Sequence, residues 1–375
     1  MNLDRIRQEF PVVHHCTYLN HAAVGTLPGR AFEAVRAYAA DFSENAASNY
    51  RDWEAAIETA RSRSARLINA DPSQIAFVKN TTEGLCFAAN GIDWRRGDNV
   101  VLNDLEFPSN VYPWLNLSRD GVETRMVKSV DGRLTVDAIS DRIDSRTRAV
   151  SISHVEYGNG FRNDIAAIGA LCRQKGVCFV VDGIQSLGQT PVDVAAMNID
   201  ILTADGHKWL LSPEGIGIFY CAPHMTERLR LYEVGWNSVA DAGNYDVYDP
   251  TPAPTARRFE CGSHNTLGIH ALGASLELLL EVGIDVVQER LRLLTDRLAE
   301  ALRDAGYRVL SPRGESEWSG IVTFDSPVHE TEDLHRTLRS HQVIGARRGG
   351  GIRISPHFYN TEEEVLRVTD ALPGH

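Results

Sequence analysis

No two cysteines of this 375-residue chain stand in a CxxC pair, and no run of 18 apolar residues occurs. The first absence excludes the common zinc-ribbon and dithiol patterns. The second leaves no stretch suited to span a bilayer. Basic charge is in deficit, with 38 Lys and Arg against 50 Asp and Glu and a net charge of −12. That balance argues against nucleic acid or an anionic membrane as partner, so any anionic ligand must be held by local basic or backbone groups. The start, MNLDRIRQEF, mixes charges and has no apolar signal-peptide core. Together with cysteines scattered at 16, 86, 172, 178, 221 and 261, this reads as a cytoplasmic chain with reduced thiols. His14, His15 and Cys16 are adjacent, which makes a poor tetrahedral cage, so no metal is expected. No repeat or low-complexity tract appears, and no GxGxxG follows the first strand, which disfavours a dinucleotide-binding dehydrogenase.

What is present is a chain of globular composition, 43% hydrophobic and 23% charged, long enough for a large domain and a smaller one. Residues 29–68 show helical spacing (Phe32, Val35, Ala39; Trp53, Ile57, Ala60, Leu67). Short apolar runs then alternate with helical segments: 75–78, 100–102, 149–153, 177–181 and 199–202, followed by a Gly-rich return to Tyr220. Runs apolar on both faces and separated by helix-length segments predict an α/β fold with a mostly parallel sheet covered by helices. One or two long helices are expected over 264–305, with Leu276, Leu279 and Leu280 inward. Shorter strands at 307–310, 320–324 and 352–354 and a closing helix from Thr361 predict a small α+β domain.

Ligands of open α/β sheets sit beyond the carboxyl ends of the strands. After 75–78 comes Asn80-Thr81-Thr82-Glu83, a helix-start signature whose first turn can hold a phosphate or serve as a plain cap. After 100–102 comes Phe107, placed either to stack on a flat ring or to pack on the core. Asp182 ends a buried strand, where a carboxylate needs a partner; it could face a pyridinium nitrogen or cap the next helix, and Gln185 follows it. Lys208, in Thr203-Ala204-Asp205-Gly206-His207-Lys208-Trp209, lies just past another buried strand. It is either a surface lysine or the lysine that carries pyridoxal phosphate as a Schiff base, since burial supplies neutral amine.

These residues, in this order, resemble the class V aminotransferase family of pyridoxal phosphate (PLP) enzymes, fold type I, which includes cysteine desulfurases, kynureninases and isopenicillin N epimerase-like proteins. The likeness runs through Tyr18–Ala23, Asn80–Gly84, Ser153-His154-Val155, Asp182–Gln185, Gly206-His207-Lys208, Arg258–Asn265 and Arg353–Ser355 to Tyr359–Glu363. It implies the PLP-dependent transferase fold: a mostly parallel seven-stranded sheet with helices on both faces, in a large domain of residues 15–283. A small domain, 284–375, would join an N-terminal arm, 1–14. It also implies that Lys208 bears the cofactor, that Asp182 meets the pyridine nitrogen and Gln185 the ring hydroxyl, and that Thr81, Thr82 and His207 hold the phosphate. Phe107 would stack on the ring. Ser263 matches a residue reaching a neighbouring subunit's phosphate, implying a homodimer with shared sites. Arg353 would grip a substrate carboxylate, with Tyr157 and His21 nearby.

The chain also departs from the desulfurase pattern. Asp205 would repel a phosphate unless it turns away or binds His207. Residues 344–351 (IGARRGGG) carry no cysteine where desulfurases form a persulfide, and the Gly triplet reads as a lid, a close backbone approach or a plain turn. The resulting expectation is a PLP enzyme acting on a small α-amino acid, aminotransferase-type first. A β-lyase or C–S lyase, or an epimerase, is the alternative, and a non-catalytic PLP-binding protein comes last.

Overall fold

A computed structural model describes residues 2–374. A short strand, β1 (Thr17–Tyr18), is followed by two helices, Gly29–Asn45 and Tyr50–Leu67, and then by the strands of the main sheet. These are β2 (Ile75–Val78), β3 (Asn99–Asn103), β4 (Glu123–Val127), β5 (Thr147–Ser153), β6 (Cys178–Asp182), β7 (Ile201–Asp205) and β8 (Gly217–Cys221). Their order is β2-β8-β7-β6-β5-β3-β4. Only β8 runs against its neighbours; the other pairs are parallel. β3, β7 and β8 are buried at every residue, as expected for strands covered on both faces.

Edge strand β4 was not anticipated, because its Glu-Thr-Arg-Met-Val is mostly half-exposed and mixes charge with apolar groups. The first helix also departs from expectation. Phe32 is 55% exposed and Ala39 is exposed, leaving Ala31 as its buried residue. The second helix buries Trp53, Ile57, Ala60 and Leu67 as read. The long helices are two, Thr266–Val282 and Ile284–Asp304, bent by 77° at Gly283. Leu276 and Leu279 are fully buried, and Leu280 only partly. Among the described residues no single helix is long and apolar enough to cross a membrane.

Beyond Gly283 come β9 (Arg308–Val309), β10 (Val322–Asp325), the helix Thr331–Ser340, β11 (Val343–Ile344), β12 (Ala346–Arg348), β13 (Gly351–Ile354) and the helix Glu362–Ala371. Four of these strands form an antiparallel sheet, β12-β13-β10-β9, with its own apolar cluster around Leu298, Phe324, Leu338, Ile354 and Val365. We propose Gly283 as the domain boundary on that basis. Leu19 joins this second cluster, and β1 pairs in parallel with β11. Residues 17–19 therefore pack with the C-terminal part. The arm docks there too: Arg7 bonds Glu364 at 2.7 Å and Phe10 stacks on Tyr359 at 3.9 Å.

Candidate active site

The parallel strands end together, and the segments after them converge on a cavity of about 230 Å³. The helix Thr81–Gly91 starts directly beyond β2, capped by Asn80, whose side chain accepts the Glu83 amide at 3.0 Å. Its first turn leaves backbone N–H groups free toward the cavity, the ordinary means of holding an anion. Thr81 Oγ1 accepts the Asp205 amide at 2.9 Å, which ties this turn to the end of β7. Thr82 Oγ1 donates to Ser109 Oγ at 2.9 Å. His207 Nδ1 lies 2.8 Å from Asp205 Oδ1, so the carboxylate that would have repelled a phosphate is turned onto the histidine.

Lys208 follows on the turn after β7 and is 8% exposed. The turn is pinned by Gly25: its amide donates to the His207 carbonyl at 2.6 Å, and a Cβ there would stand 2.1 Å from the Lys208 carbonyl oxygen. Burial, opposed by Asp182 and aided by Arg353, brings the Lys208 amine down to about 8. Its Nζ sits 5.6 Å from the centre of the Phe107 ring. Phe107 meets Tyr157 edge-on at 5.1 Å.

Asp182 ends β6 and is 2% exposed. Its Oδ1 accepts the Ile184 amide at 3.0 Å, and burial raises the carboxyl to about 6. Gln185 is more constrained than the sequence implied. Its oxygen accepts the Trp209 indole N–H at 2.8 Å and its amide donates to the Ala22 carbonyl at 2.9 Å, leaving one amide hydrogen for a ligand. Arg353, on β13, is 2% exposed, and its Nη1 donates to the Tyr157 carbonyl at 2.7 Å. Burial and Arg348 lower this guanidinium to about 10.

Among the described residues neither Asp182 nor Arg353 forms an ion pair, and both line the same cavity. A buried carboxylate and a buried guanidinium left unmatched are costly. A cationic ring nitrogen would match Asp182, and the carboxylate of an amino acid bound beside it would match Arg353. That set, with a buried amine of lowered basicity lining the same cavity, fits PLP.

The cavity thus brings together Thr81, Thr82, Phe107, Tyr157, Asp182, Gln185, His207, Lys208 and Arg353. Two expected residues are not there. His21 is wholly buried, with Nδ1 at 2.9 Å from the Ser355 carbonyl and Nε2 at 2.9 Å from Tyr359 Oη. Burial holds its ring at about 4. It braces the N-terminal loop against the C-terminal part and is not among the residues lining the cavity. Ser263 is exposed on the surface of the single chain and lies outside the cavity lining. Sequence reasoning missed Arg348, which lines the cavity; the signal was an arginine directly before a Gly-Gly pair.

The Gly triplet is a tight turn. Gly349 and Gly350 have φ of 61° and 83° between β12 and β13, the two-residue hairpin geometry that favours glycine. Gly349 also packs on Gly158, where a Cβ would come within 2.2 Å of the Gly158 carbonyl oxygen.

The aminotransferase class-V model matches residues 17–368. The chain belongs to the class-V aminotransferase family. Its PLP-dependent chemistry and fold follow from that membership. A probable cysteine desulfurase of Methanothermobacter thermautotrophicus is 30% identical over 395 residues, covering 99% of this chain and 98% of the relative. The apo cysteine desulfurase of Thermococcus onnurineus NA1 superposes with a TM-score of 0.90 at 25% identity, covering 98% and 96% of the two chains. The cystine C–S lyase C-DES, in complex with its product cysteine persulfide, gives 0.87 at 27% identity over 96% and 99%. A mutant of C-DES with glycine covalently linked to its PLP cofactor gives 0.89 at 26%, over 97% and 99%. This class-V chain is therefore a PLP-dependent enzyme.

Proposed function

We propose that this enzyme is a C–S lyase that eliminates sulfur from a cysteine- or cystine-like amino acid without a protein-bound persulfide. The observation that carries this reading is a cavity holding Lys208 and Arg353 but lined by no cysteine, in a chain similar to desulfurases and to a C–S lyase. The sequence alone put transamination first; the relatives move elimination ahead of it.

Bound PLP supplies an electrophilic carbon and an electron sink. The chain's own residues do the rest. Arg353 takes the substrate carboxylate on the guanidinium face not used by Tyr157, a fork suited to bidentate contact. Lys208 Nζ, neutral in useful proportion because of burial, accepts the Cα proton. With PLP bound, Asp182 would favour a protonated ring nitrogen, Phe107 would cover the ring and exclude water, and Thr81, Thr82 and His207 would hold the phosphate end. The Cβ–S pair departs with sulfur, and the remaining enamine takes up water to give pyruvate and ammonia.

Purified holoenzyme given cysteine, and separately cystine, should release pyruvate in equal moles with sulfide or persulfide. Conversion of the cofactor to its amine form with a keto acid, and no pyruvate, would overturn the assignment in favour of transamination.

We also propose a homodimer in which Ser263 reaches the neighbouring copy's phosphate site. Phe32 and Phe42, 55% and 56% exposed on the helix Gly29–Asn45, and, on a separate loop, Trp236, Tyr245 and Tyr248 are large apolar side chains exposed on the single chain, as residues of an interface would be. Light scattering after gel filtration should give twice 41.5 kDa; a monomer mass would rule the shared site out.

A further inference from the structure

Behind the cavity wall lie two carboxyl groups that the reaction does not use. Glu106, just before Phe107, is 7% exposed, and Glu156, just before Tyr157, is fully buried. One amide joins them: Asn103 Nδ2 donates to Glu106 Oε1 at 2.6 Å and to Glu156 Oε1 at 3.1 Å. These oxygens therefore stand within about 6 Å of each other, close enough for one charge to oppose the other. Among the described residues no cation pairs with either.

Their donors are unequal. Glu106 Oε1 also accepts the Ser153 amide at 2.7 Å, while Oε2 accepts Asn110 Nδ2 at 2.9 Å and Ser153 Oγ at 2.5 Å. Both oxygens are thus saturated with donors, the setting of an ionised carboxylate. Glu156 Oε1 accepts Asn163 Nδ2 at 2.9 Å as well, but its Oε2 has no hydrogen-bond partner. An ionised group with a bare, buried oxygen beside a like charge is the costlier state.

We propose that Glu156 is kept as a neutral carboxylic acid beside an ionised Glu106, the pair forming a clasp that fixes the Phe107 and Tyr157 segments at the cavity. Glu156 is a positioning residue: Tyr157, next in the chain, presents its carbonyl to Arg353 and its ring to Phe107. Burial first, and the Glu106 charge second, push the Glu156 carboxyl well above its ordinary value; burial raises Glu106 to about 7. The other charged group facing the pair is Asp182 on β6, whose register partner is Ser153. His154, also buried, is held neutral at about 3 by burial.

The sign is that of a carboxyl raised on folding. Stability is full below the unfolded value and is lost as pH rises toward the folded one. Glu156→Gln, neutral at every pH, removes that loss. Cofactor-free Glu156→Gln should melt at the wild-type temperature at pH 5 and about 2 °C higher at pH 8.5. The infrared C=O band of protonated carboxyls in cofactor-free wild type at pH 8, where Glu106 (about 7) and Asp182 (about 6) are mostly ionised, should lose most of its intensity in the variant. PLP affinity, read by absorbance titration, should fall about tenfold more for wild type than for Glu156→Gln between pH 7.5 and 9.5. Glu156→Ala should weaken it at every pH.

The affinity arm rests on the cofactor placement proposed above; the melting and infrared arms do not. Parallel melting curves at both pH values, or a carboxyl band of wild-type intensity in Glu156→Gln at pH 8, would overturn the clasp. Failure of the affinity arm alone would remove its positioning role.

Discussion

Lys208→Ala should give a folded protein that no longer turns yellow with PLP and whose turnover falls by on the order of 10⁴-fold. The fold survives because the Lys208 side chain forms no ion pair among the described residues, while its cavity holds a charge that burial disfavours. The folded amine sits near 8, below the ordinary lysine value. Its charged form therefore costs stability at every pH below about 8, and that cost fades as pH rises toward the unfolded value. Cofactor-free Lys208→Ala should accordingly melt above wild type at pH 7, with the gap closing toward pH 10. Absorbance and thermal melts check both claims. A variant that stays yellow would mean another amine holds the cofactor.

Arg353→Ala should raise KM by on the order of 100-fold, with kcat and PLP affinity changed far less. The guanidinium is buried, has no acidic partner, and spends one nitrogen on the Tyr157 carbonyl; Nε has no hydrogen-bond partner. Those donors are an incomplete fork awaiting an anion. Arg353→Lys should recover only part of the loss, since an ammonium cannot bond the carboxylate and the Tyr157 carbonyl in the same plane. Steady-state kinetics with a series of amino acids tests this. An unchanged KM would move carboxylate recognition to Arg348, the other arginine lining the cavity.

Much of this site was legible because parallel sheets gather their strand ends. Asp182, Lys208 and the Thr81 turn are far apart in sequence, yet each directly follows a buried apolar run, and that alone places them on one edge. His21 shows the limit of the same reasoning. Its neighbourhood matches the family, but whether an imidazole faces a ligand or a carbonyl depends on Ser355 and Tyr359, more than 300 positions away. Edge strand β4 was lost because half of it faces solvent, so its pattern is not that of a core strand. Glu156 was hidden for a different reason. In Glu-Tyr-Gly-Asn-Gly it looks like a loop acid, and only Asn103 and Asn163, from other segments, reveal that it is enclosed.

The hairpin that ends in Gly349 and Gly350 limits how this enzyme could change. Its tip has no spare length, and its backbone rests directly on Gly158. A thiol introduced there by a single substitution would sit on a two-residue turn packed against Gly158, not on a long loop. On the proposed C–S lyase reading, what the site liberates would leave by diffusion, and specificity in its onward use would lie with the molecule that captures it.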